Sequence, residues 1–299
     1  QHHFGKGVTI MEKFADLQYV RPDMEKVFAR VSGDIAALKE AKSYEEFKNA
    51  YMDFVEADTE LETAKTVAHI RNTINLLDSF YEGEMAYFNS QMPKYGILKK
   101  EMGEVIVASP FKGEMEKEFG SILLQNMEAQ KQLSDECIVD DQVEEAELVN
   151  QYMKTQAAAT VDFRGEQLGT YGLLKHMQST DRTERKAAFE AWAKLYAGTA
   201  PKLDEVYDGL VKVRSGMAKK LGFESFIPMG YLRRRRFDYT AKDLEVFRKQ
   251  VREIIVPAAK ELYERQKEAL GIEHLYYYDE SLTSPDGNPV PVGDKEYLV

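Results

Sequence analysis

The sequence has one cysteine, Cys137, in 299 residues, and this scarcity limits the classes of protein it can encode. A single cysteine forms no intrachain disulfide, as expected of a protein in a reducing compartment. Cys137 is also a poor nucleophile, because the acidic stretch around it, Ser134-Asp-Glu-Cys-Ile-Val-Asp-Asp141, disfavours the thiolate. We therefore set aside disulfide-stabilised and cysteine-dependent classes of protein.

The chain also lacks an excess of basic residues and any long apolar run. Its 40 Lys and Arg residues against 51 Asp and Glu residues give a formal net charge of −11. Nucleic acids and anionic membranes attract basic surfaces, so we expect neither as a partner. No apolar segment approaches the roughly 20 residues that span a bilayer, and the start has no secretory signal pattern. The sequence predicts a cytoplasmic protein.

Short catalytic motifs are missing as well. His69, His176 and His274 each lack the second histidine, four residues away, that completes a His-Glu-x-x-His zinc motif. We expect packing or surface roles for all three. The chain contains no Gly-x-Ser-x-Gly segment and no phosphate-binding loop. Local motifs therefore predict neither a serine hydrolase nor a nucleotide-binding enzyme.

Carboxylates are too frequent for any one pair to stand out as a general acid and base. Glu60 with Glu62, and Glu144 with Glu145 and Glu147, are expected on solvated helix faces. Only burial with a raised pKa would give such a group an acid/base role. The sequence predicts no catalytic residue and no metal ligand within this chain.

Helical periodicity is present along most of the chain, since apolar residues recur at steps of three and four. One stripe over residues 240–270 contains Leu244, Phe247, Val251, Ile254, Ala258 and Leu262. Thr240 is placed to cap the start of this helix and Gly271 to end it. Pro257 removes one backbone donor, so we expect a kink or break there.

Further helices are predicted along the rest of the sequence. One begins at Pro22-Asp23, and another at Ser43, where Glu46 gives capping-box spacing. The remaining predicted helices cover roughly 56–90, 93–108, 113–132, 141–158, 181–197 and 202–221. These segments together predict an all-α protein.

Two segments depart from the helical pattern. Residues 160–168 alternate on either side of Arg164-Gly165, which predicts a small β-hairpin. The aromatic run Leu275-Tyr-Tyr-Tyr278 precedes a turn-rich segment and predicts a short strand.

The chain is predicted to contain two helical regions behind a short leader. Residues 1–10, with His2-His3 and Gly5-Lys-Gly7, have the character of an added leader ahead of a natural start near Met11. The helical pattern breaks near 158–160 and resumes in a different register after the hairpin. We therefore predict an N-terminal region over 11–158 and a second region over 159–299.

The sharpest charge feature is the run of four arginines at 233–236. Four adjacent guanidiniums suit capture of a peptide carboxylate, although pairing with carboxylates of this acidic chain is the favoured use. A nearby tyrosine could donate a hydrogen bond to a substrate carbonyl, while most tyrosines are buried with the hydroxyl satisfied. The candidate substrate-binding residues are Arg233, Arg234, Arg235, Arg236 and Tyr239.

Several segments, in this order, carry a family resemblance. The first are Met11-Glu-Lys-Phe-Ala-Asp-Leu-Gln-Tyr-Val-Arg-Pro-Asp23, Val161-Asp-Phe-Arg-Gly-Glu-Gln-Leu168 and Ser179-Thr-Asp-Arg-Thr-Glu-Arg185. Next come Leu210-Val-Lys-Val-Arg214, Ala218-Lys-Lys-Leu-Gly222 and Arg236-Phe-Asp-Tyr239. From Met11 to about Asp279 the chain resembles the oligoendopeptidase F family, zinc metallopeptidases similar to thimet oligopeptidase.

This resemblance implies the N-terminal lobe of a helical metallopeptidase that encloses a channel for short peptides. In such enzymes one zinc is bound by a His-Glu-x-x-His helix and a downstream glutamate, and the motif glutamate acts as general base. The present sequence lacks that motif. The resemblance therefore implies a C-terminal catalytic part that supplies the zinc site, and a chain that is inactive and zinc-free without it.

A metal-free helical module that binds peptides or a protein partner is the alternative hypothesis. The arginines at 233–236 would then anchor the partner. Both hypotheses predict no metal site in this chain. A reading frame that continues past Val299 into His-Glu-x-x-His would favour the peptidase, and a stop codon there would favour the module.

Overall fold

The computed structural model describes residues 13–293, and these are mainly helical. The predicted leader at 1–10 lies outside the described residues. Two compact units divide between Val143 and Glu144. This division falls ahead of the boundary predicted near 158–160, which stays a prediction. Among the described residues, no helix has the length and apolar character needed to cross a membrane.

Five α-helices lie wholly within the described part of the first unit. They are α1 (Met24–Glu40), α2 (Tyr44–Ile74), α3 (Ser79–Ala108), α4 (Lys112–Phe119) and α5 (Ser121–Leu133). Asp23 caps α1 through the backbone N–H of Lys26. Ser43 caps α2 by accepting from the Glu46 N–H, as its spacing predicts.

The prediction of one continuous helix over 56–90 is wrong, because this segment contains the end of α2 and the start of α3. α2 ends at Ile74, and the next residue, Asn75, leaves helical geometry with φ −142°. Asp78 then caps α3 by accepting from the N–H groups of Phe80 and Tyr81. An aspartate that caps a new helix competes with continuation of the old one.

Large apolar side chains from α1, α2 and α3 form the core of the first unit. Ile35 and Phe47 lie in it beside Phe54, Phe88 and Ile106. Burying each such side chain contributes about 1.5–3 kcal/mol relative to exposure. The three- and four-residue periodicity therefore serves to place one face of each helix in this core.

The second unit contains a hairpin and the remaining helices. These are α6 (Val139–Ala158), which starts just before the unit boundary, β1 (Val161–Phe163), β2 (Glu166–Leu168), α7 (Thr170–His176), α8 (Arg182–Lys220), α9 (Phe226–Arg233), α10 (Ala241–Gln250) and α11 (Val256–Ala269). A smaller apolar core forms around Phe163, Leu173, Met177 and Leu195. It packs the hairpin and α7 against α8.

The hairpin predicted at 160–168 is confirmed. Val161 pairs with Leu168 and Phe163 with Glu166 in antiparallel register. The two loop residues, Arg164 and Gly165, have φ of 57° and 87°. Positive φ at both positions is the geometry that two-residue hairpin loops prefer.

α8 is one helix of 39 residues where the sequence predicted two. Pro201 lies inside it without ending it. Leu195, Val206, Val213 and Met217 are buried along its length. Continuous burial of one face outweighs the single backbone hydrogen bond that a proline removes.

The break predicted at Pro257 is absent, because helical geometry continues from α10 to α11 through a π-helical turn over Val251–Ile255. The predicted kink stays a prediction. Wider turns of this kind relieve the clash between a proline ring and the carbonyl four residues earlier. Thr240 and Asp243 form a capping box at the start of α10. Gly271 follows α11 with φ 64°. Both predicted ends of this helical segment are therefore confirmed.

The strand predicted at 275–278 is wrong, because Tyr277–Asp279 forms a turn of 3₁₀ helix. The backbone N–H of Tyr276 donates to the Asp279 carboxylate at 3.1 Å and closes the turn. Asp279 is fully buried at 0% exposure. A buried aspartate therefore sets the geometry of a segment whose aromatic composition favours a strand.

Candidate functional site

The four consecutive arginines lie at the end of α9 and just after it. Arg233 is the last residue of α9, and Arg235 adopts a positive φ of 54°. This left-handed residue turns the chain away from the helix axis. The four side chains consequently have different surroundings and do not form one patch.

Arg233 pairs with Glu145 of α6, and Arg214 of α8 joins them. Arg233 Nη1 and Nη2 donate to the two carboxylate oxygens of Glu145 at 3.0 and 2.7 Å. Arg214 Nε donates to Glu145 Oε1 at 2.6 Å. Both guanidinium carbons lie 5.8 Å from the centre of the Phe226 ring. The preferred pairing with carboxylates is thereby confirmed for Arg233.

The solvated position expected for Glu145 is wrong, since only 6% of the residue is exposed. Burial alone would raise the pKa of Glu145, but hydrogen bonds and charge from Arg233 and Arg214 outweigh it and hold the pKa below its ordinary value. The carboxylate is therefore ionised at neutral pH. It acts as a structural anchor between α6, α8 and α9.

The other predicted residues are held differently. Arg236 lies between two aromatic rings, 5.1 Å from the centre of Tyr231 and 5.7 Å from that of Tyr239. Cation–π contacts of this kind fix a guanidinium without an ion pair. Arg234 and Arg235 are exposed, and no carboxylate of residues 13–293 lies within ion-pair distance of either. The predicted ion pairs with carboxylates of the chain are therefore not formed by Arg234 and Arg235 within the described residues.

A pocket of about 420 Å³ opens between α6 and α8 within the second unit. Its wall is mainly apolar and aromatic, from Val149 and Tyr152 on α6 and from Leu203, Tyr207 and Leu210 on α8. Arg214 and Asp204 also line it. The volume falls within the range of small-ligand sites. Arg214 and Arg233 both contact Glu145, but only Arg214 lines this pocket. Arg214 was not among the residues predicted from the sequence.

Asp279 anchors the 3₁₀ turn at Tyr277–Asp279 to α8. Arg182 donates to its two oxygens at 3.2 and 3.0 Å, and Arg185 donates at 2.8 Å. Burial alone would raise the pKa of Asp279, but the hydrogen bonds from Arg182 and Arg185 outweigh it and hold the pKa below its ordinary value. These contacts explain a structural use for Arg182 and Arg185, which carry part of the family resemblance.

Ser179, His176 and Glu184 lie together without forming a catalytic triad. Ser179 Oγ donates to Glu184 Oε2 at 2.7 Å, and His176 Nδ1 lies 2.7 Å from Glu184 Oε1. A serine nucleophile requires a hydroxyl that donates to histidine, but here both groups contact the carboxylate. His176 also packs on Phe163, with ring centres 4.9 Å apart. The group therefore joins the hairpin and α7 to α8.

Candidate metal ligands do not converge in the part of the chain that the structure describes. No three side chains of His, Cys, Asp or Glu are placed there to hold a metal ion. A zinc site needs at least three such ligands.

Two family profiles match the chain in succession. The profile of the Peptidase M3 N-terminal domain matches residues 14–134, and that of Peptidase family M3 matches residues 175–284. Among curated proteins, none matches the chain.

Solved structures share the fold. PZ peptidase A, solved with an inhibitor, is 37% identical, with a TM-score of 0.93 over 96% of this chain and 51% of its own. A protein from Bacillus anthracis strain Ames, described as an oligoendopeptidase F, is 34% identical, with a TM-score of 0.91 over 95% and 52%. Oligoendopeptidase-F from Enterococcus faecium is 18% identical, with a TM-score of 0.63 over 87% and 53%, and is similar in fold alone.

The helical fold, the order of the two profiles and these structural matches define the chain as part of an M3-type protein. The chain belongs to the M3 peptidase family as an oligoendopeptidase F-like member and corresponds to the N-terminal portion of such an enzyme. It spans about half the length of the solved relatives, 51% and 52% of the first two. The resemblance drawn from the quoted segments is confirmed.

Proposed function

We propose that this chain is the N-terminal part of a cytoplasmic zinc oligoendopeptidase that hydrolyses short peptides. Fold alone does not define function, so the proposal rests on identity together with fold. PZ peptidase A combines 37% identity with a TM-score of 0.93 over 96% of this chain. That likeness extends over nearly the whole sequence and supports a shared reaction class.

The zinc of this proposal belongs to a C-terminal catalytic part. A catalytic zinc needs three protein ligands and one open position for water. The described residues do not fit this requirement, because none of their His, Cys, Asp and Glu side chains form such a group. When bound in the complete enzyme, zinc would activate water for attack on the peptide carbonyl. Residues 13–293 would supply binding surface and architecture.

A helical arm, defined as residues 241–269, supports the existence of a further part. No residue of α10, the π-helical turn or α11 is buried. Phe247, Ile254 and Leu262 of the predicted apolar stripe are 60%, 62% and 62% exposed. Exposed apolar faces of this extent mark sites of association. We propose that the catalytic part packs on the arm.

Substrate contact by the predicted residues is proposed for the complete enzyme. Arg234 and Arg235 are exposed, and their guanidiniums are not engaged by a carboxylate of the described residues. Arg233 and Arg236 are already held, by Glu145 and by two tyrosine rings. Tyr239 is half-buried beside Arg236. Arg234 and Arg235 are therefore the better-placed candidates for binding a peptide carboxylate, with Tyr239 as a hydrogen-bond donor.

Metal analysis and peptide cleavage test the proposed function. The purified chain, dialysed against metal-free buffer, is expected to hold no stoichiometric zinc and to leave a quenched-fluorescent peptide uncut. The product of a reading frame extended into a His-Glu-x-x-His segment is expected to hold one zinc and to cleave the peptide. One tightly bound zinc in the present chain, with chelator-sensitive turnover, would overturn the assignment.

The metal-free binding module remains the second candidate, because the exposed apolar arm would also serve a protein partner. The reading frame separates the two candidates. A stop codon after Val299, together with capture of peptides by the chain alone, would favour the module.

A further inference from the structure

The pocket between α6 and α8 combines an apolar wall with one unneutralised positive charge. Glu145 carries one negative charge and accepts hydrogen bonds from two guanidiniums, those of Arg233 and Arg214. The three groups together keep one net positive charge. Arg233 occupies both carboxylate oxygens, whereas Arg214 reaches Glu145 through Nε. The excess charge is therefore available on the Arg214 side.

Arg214 presents donors beyond its bond to Glu145. Its Nη1 and Nη2 atoms donate no hydrogen bond to a protein group of the described chain, and 35% of the side chain is exposed. A guanidinium fixed at Nε keeps its terminal N–H groups available to a carboxylate. Arg214 is thus pre-positioned by Glu145 and Phe226 at the edge of the pocket.

An acidic residue lines the other end of the same pocket. Asp204 is exposed and lies ten residues before Arg214 on α8, a separation of about 15 Å along the helix axis. An extended peptide spans about 3.3–3.6 Å per residue, so about four residues cover this distance. Opposite charges at the two ends of an apolar wall match the two termini of a short peptide.

We propose that this pocket binds a short apolar peptide along α8, with its terminal carboxylate on Arg214 and its terminal ammonium toward Asp204. The choice of a peptide as the ligand rests on the proposed function. The orientation of that peptide rests on the charges of Arg214 and Asp204 in the pocket. Side chains of the peptide would contact Tyr152, Tyr207 and Leu210. A fatty acid shares the apolar group and the carboxylate but has no ammonium for Asp204.

Four forms of one peptide, Leu-Leu-Phe-Leu, test the site by isothermal titration calorimetry on the present chain. They are the free peptide, its C-terminal amide, its N-acetyl form and the doubly blocked form. Loss of the charge-assisted contact to Arg214 is expected to weaken binding of the amide about tenfold. The acetyl form, which loses a contact to the exposed Asp204, is expected to weaken about threefold. Hexanoate serves as the fatty-acid probe and is expected to bind more weakly than the free peptide.

Substitutions assign each effect to a residue. Arg214→Gln should abolish the preference for the free peptide over the amide, and Asp204→Asn should abolish the preference over the acetyl form. Leu210→Ser should weaken all four forms equally. Lys212→Gln removes a positive charge from the same helix at an exposed position outside the pocket wall and should leave every affinity unchanged. Circular dichroism melting verifies that each variant folds.

Several results would overturn the proposal. The site is wrong if the unmodified chain binds acid and amide equally, if Arg214→Gln keeps the preference, or if no form binds at millimolar concentration. Stronger binding of hexanoate would reassign the pocket to fatty acids. These measurements need no zinc and no cleavage, so their failure differs from failure of the proposed function, which the extended gene product tests.

Discussion

Glu145 remains charged inside the second unit because two arginines surround it. Its carboxylate accepts three hydrogen bonds, at 2.6, 3.0 and 2.7 Å. Removal of one partner from such a group leaves the others desolvated and unpaired, which costs more than the pair contributes. Glu145 therefore links α6, α8 and α9 through one buried carboxylate.

We predict that Glu145→Gln lowers the free energy of unfolding by about 1–3 kcal/mol, since an amide cannot pair with two guanidiniums. Urea unfolding followed by circular dichroism measures the change. Glu144→Gln is the matched control, because Glu144 is exposed on the same helix. Equal stability of the two variants would show that the buried charge cluster is not needed for the fold.

Acid sensitivity is the second prediction at this scale. Glu145, Asp279 and Glu84 all have a pKa below the ordinary value in the folded chain. The folded state consequently binds fewer protons than the unfolded state. This contribution is complete above the unfolded pKa values, about 4, and is lost as pH falls through the folded values. Stability should therefore hold from pH 7 to about 5 and decrease below that.

Asp279→Asn tests the source of the acid sensitivity. The variant should be less stable than the parent at pH 7 and should lose less stability between pH 5 and pH 3, because one titrating group is gone. Asp208→Asn changes an exposed aspartate of α8 and should follow the parent curve. Identical pH slopes for parent and Asp279→Asn would contradict the role given to Asp279.

Helices α3 and α5 of the first unit lie close together at Gly103 of α3. A Cβ added at Gly103 would lie 3.2 Å from Met127 Cβ of α5. A Cβ added at Gly83, on the same helix, would meet nothing within 4 Å. The same substitution therefore has opposite physical consequences at these two positions.

We predict that Gly103→Ala destabilises the chain and Gly83→Ala stabilises it. Crowding in a packed core costs about 1–3 kcal/mol, which exceeds the gain in helix propensity of about 1 kcal/mol. At Gly83 only the gain applies. Thermal melting of both variants measures the difference. Similar melting temperatures for the two would mean that α3 and α5 are not packed as closely as the structure shows.

At the scale of the whole molecule, the prediction concerns the exposed apolar face of the helical arm. Its apolar residues are exposed within the present chain, and surface substitutions of this kind change stability by about 0.5 kcal/mol or less. We predict that Phe247→Ser combined with Ile254→Ser leaves the melting temperature of the present chain within a few degrees. In an extended gene product the same pair should lower it by roughly 10 °C, because each side chain would then be buried.

The matched control changes polar residues of the same arm in place of apolar ones. Lys242→Ser combined with Lys249→Ser changes two exposed polar residues and should leave both proteins unaffected. Equal effects of the apolar pair in the short and extended chains would show that no further part covers the arm.

The helices, their caps and the hairpin were determined by the sequence, because periodicity, Thr240, Ser43 and Arg164-Gly165 act locally. The family could also be predicted from the sequence, because the quoted segments occur in the family's order along the chain. The break between α2 and α3, the unbroken α8 and the turn at 277–279 followed from burial and competition between capping groups, which local pattern does not contain.

The candidate site depended on tertiary structure even more. Glu145 and Arg214 are 69 residues apart, and an acidic stretch gives no sign of which carboxylate is buried. The sequence located the arginine run at 233–236 but could not divide its members among an ion pair, an aromatic stack and solvent. That division follows from where α6, α8 and α9 meet, because the energy of a charge depends on its desolvation and on the partners that packing brings within reach.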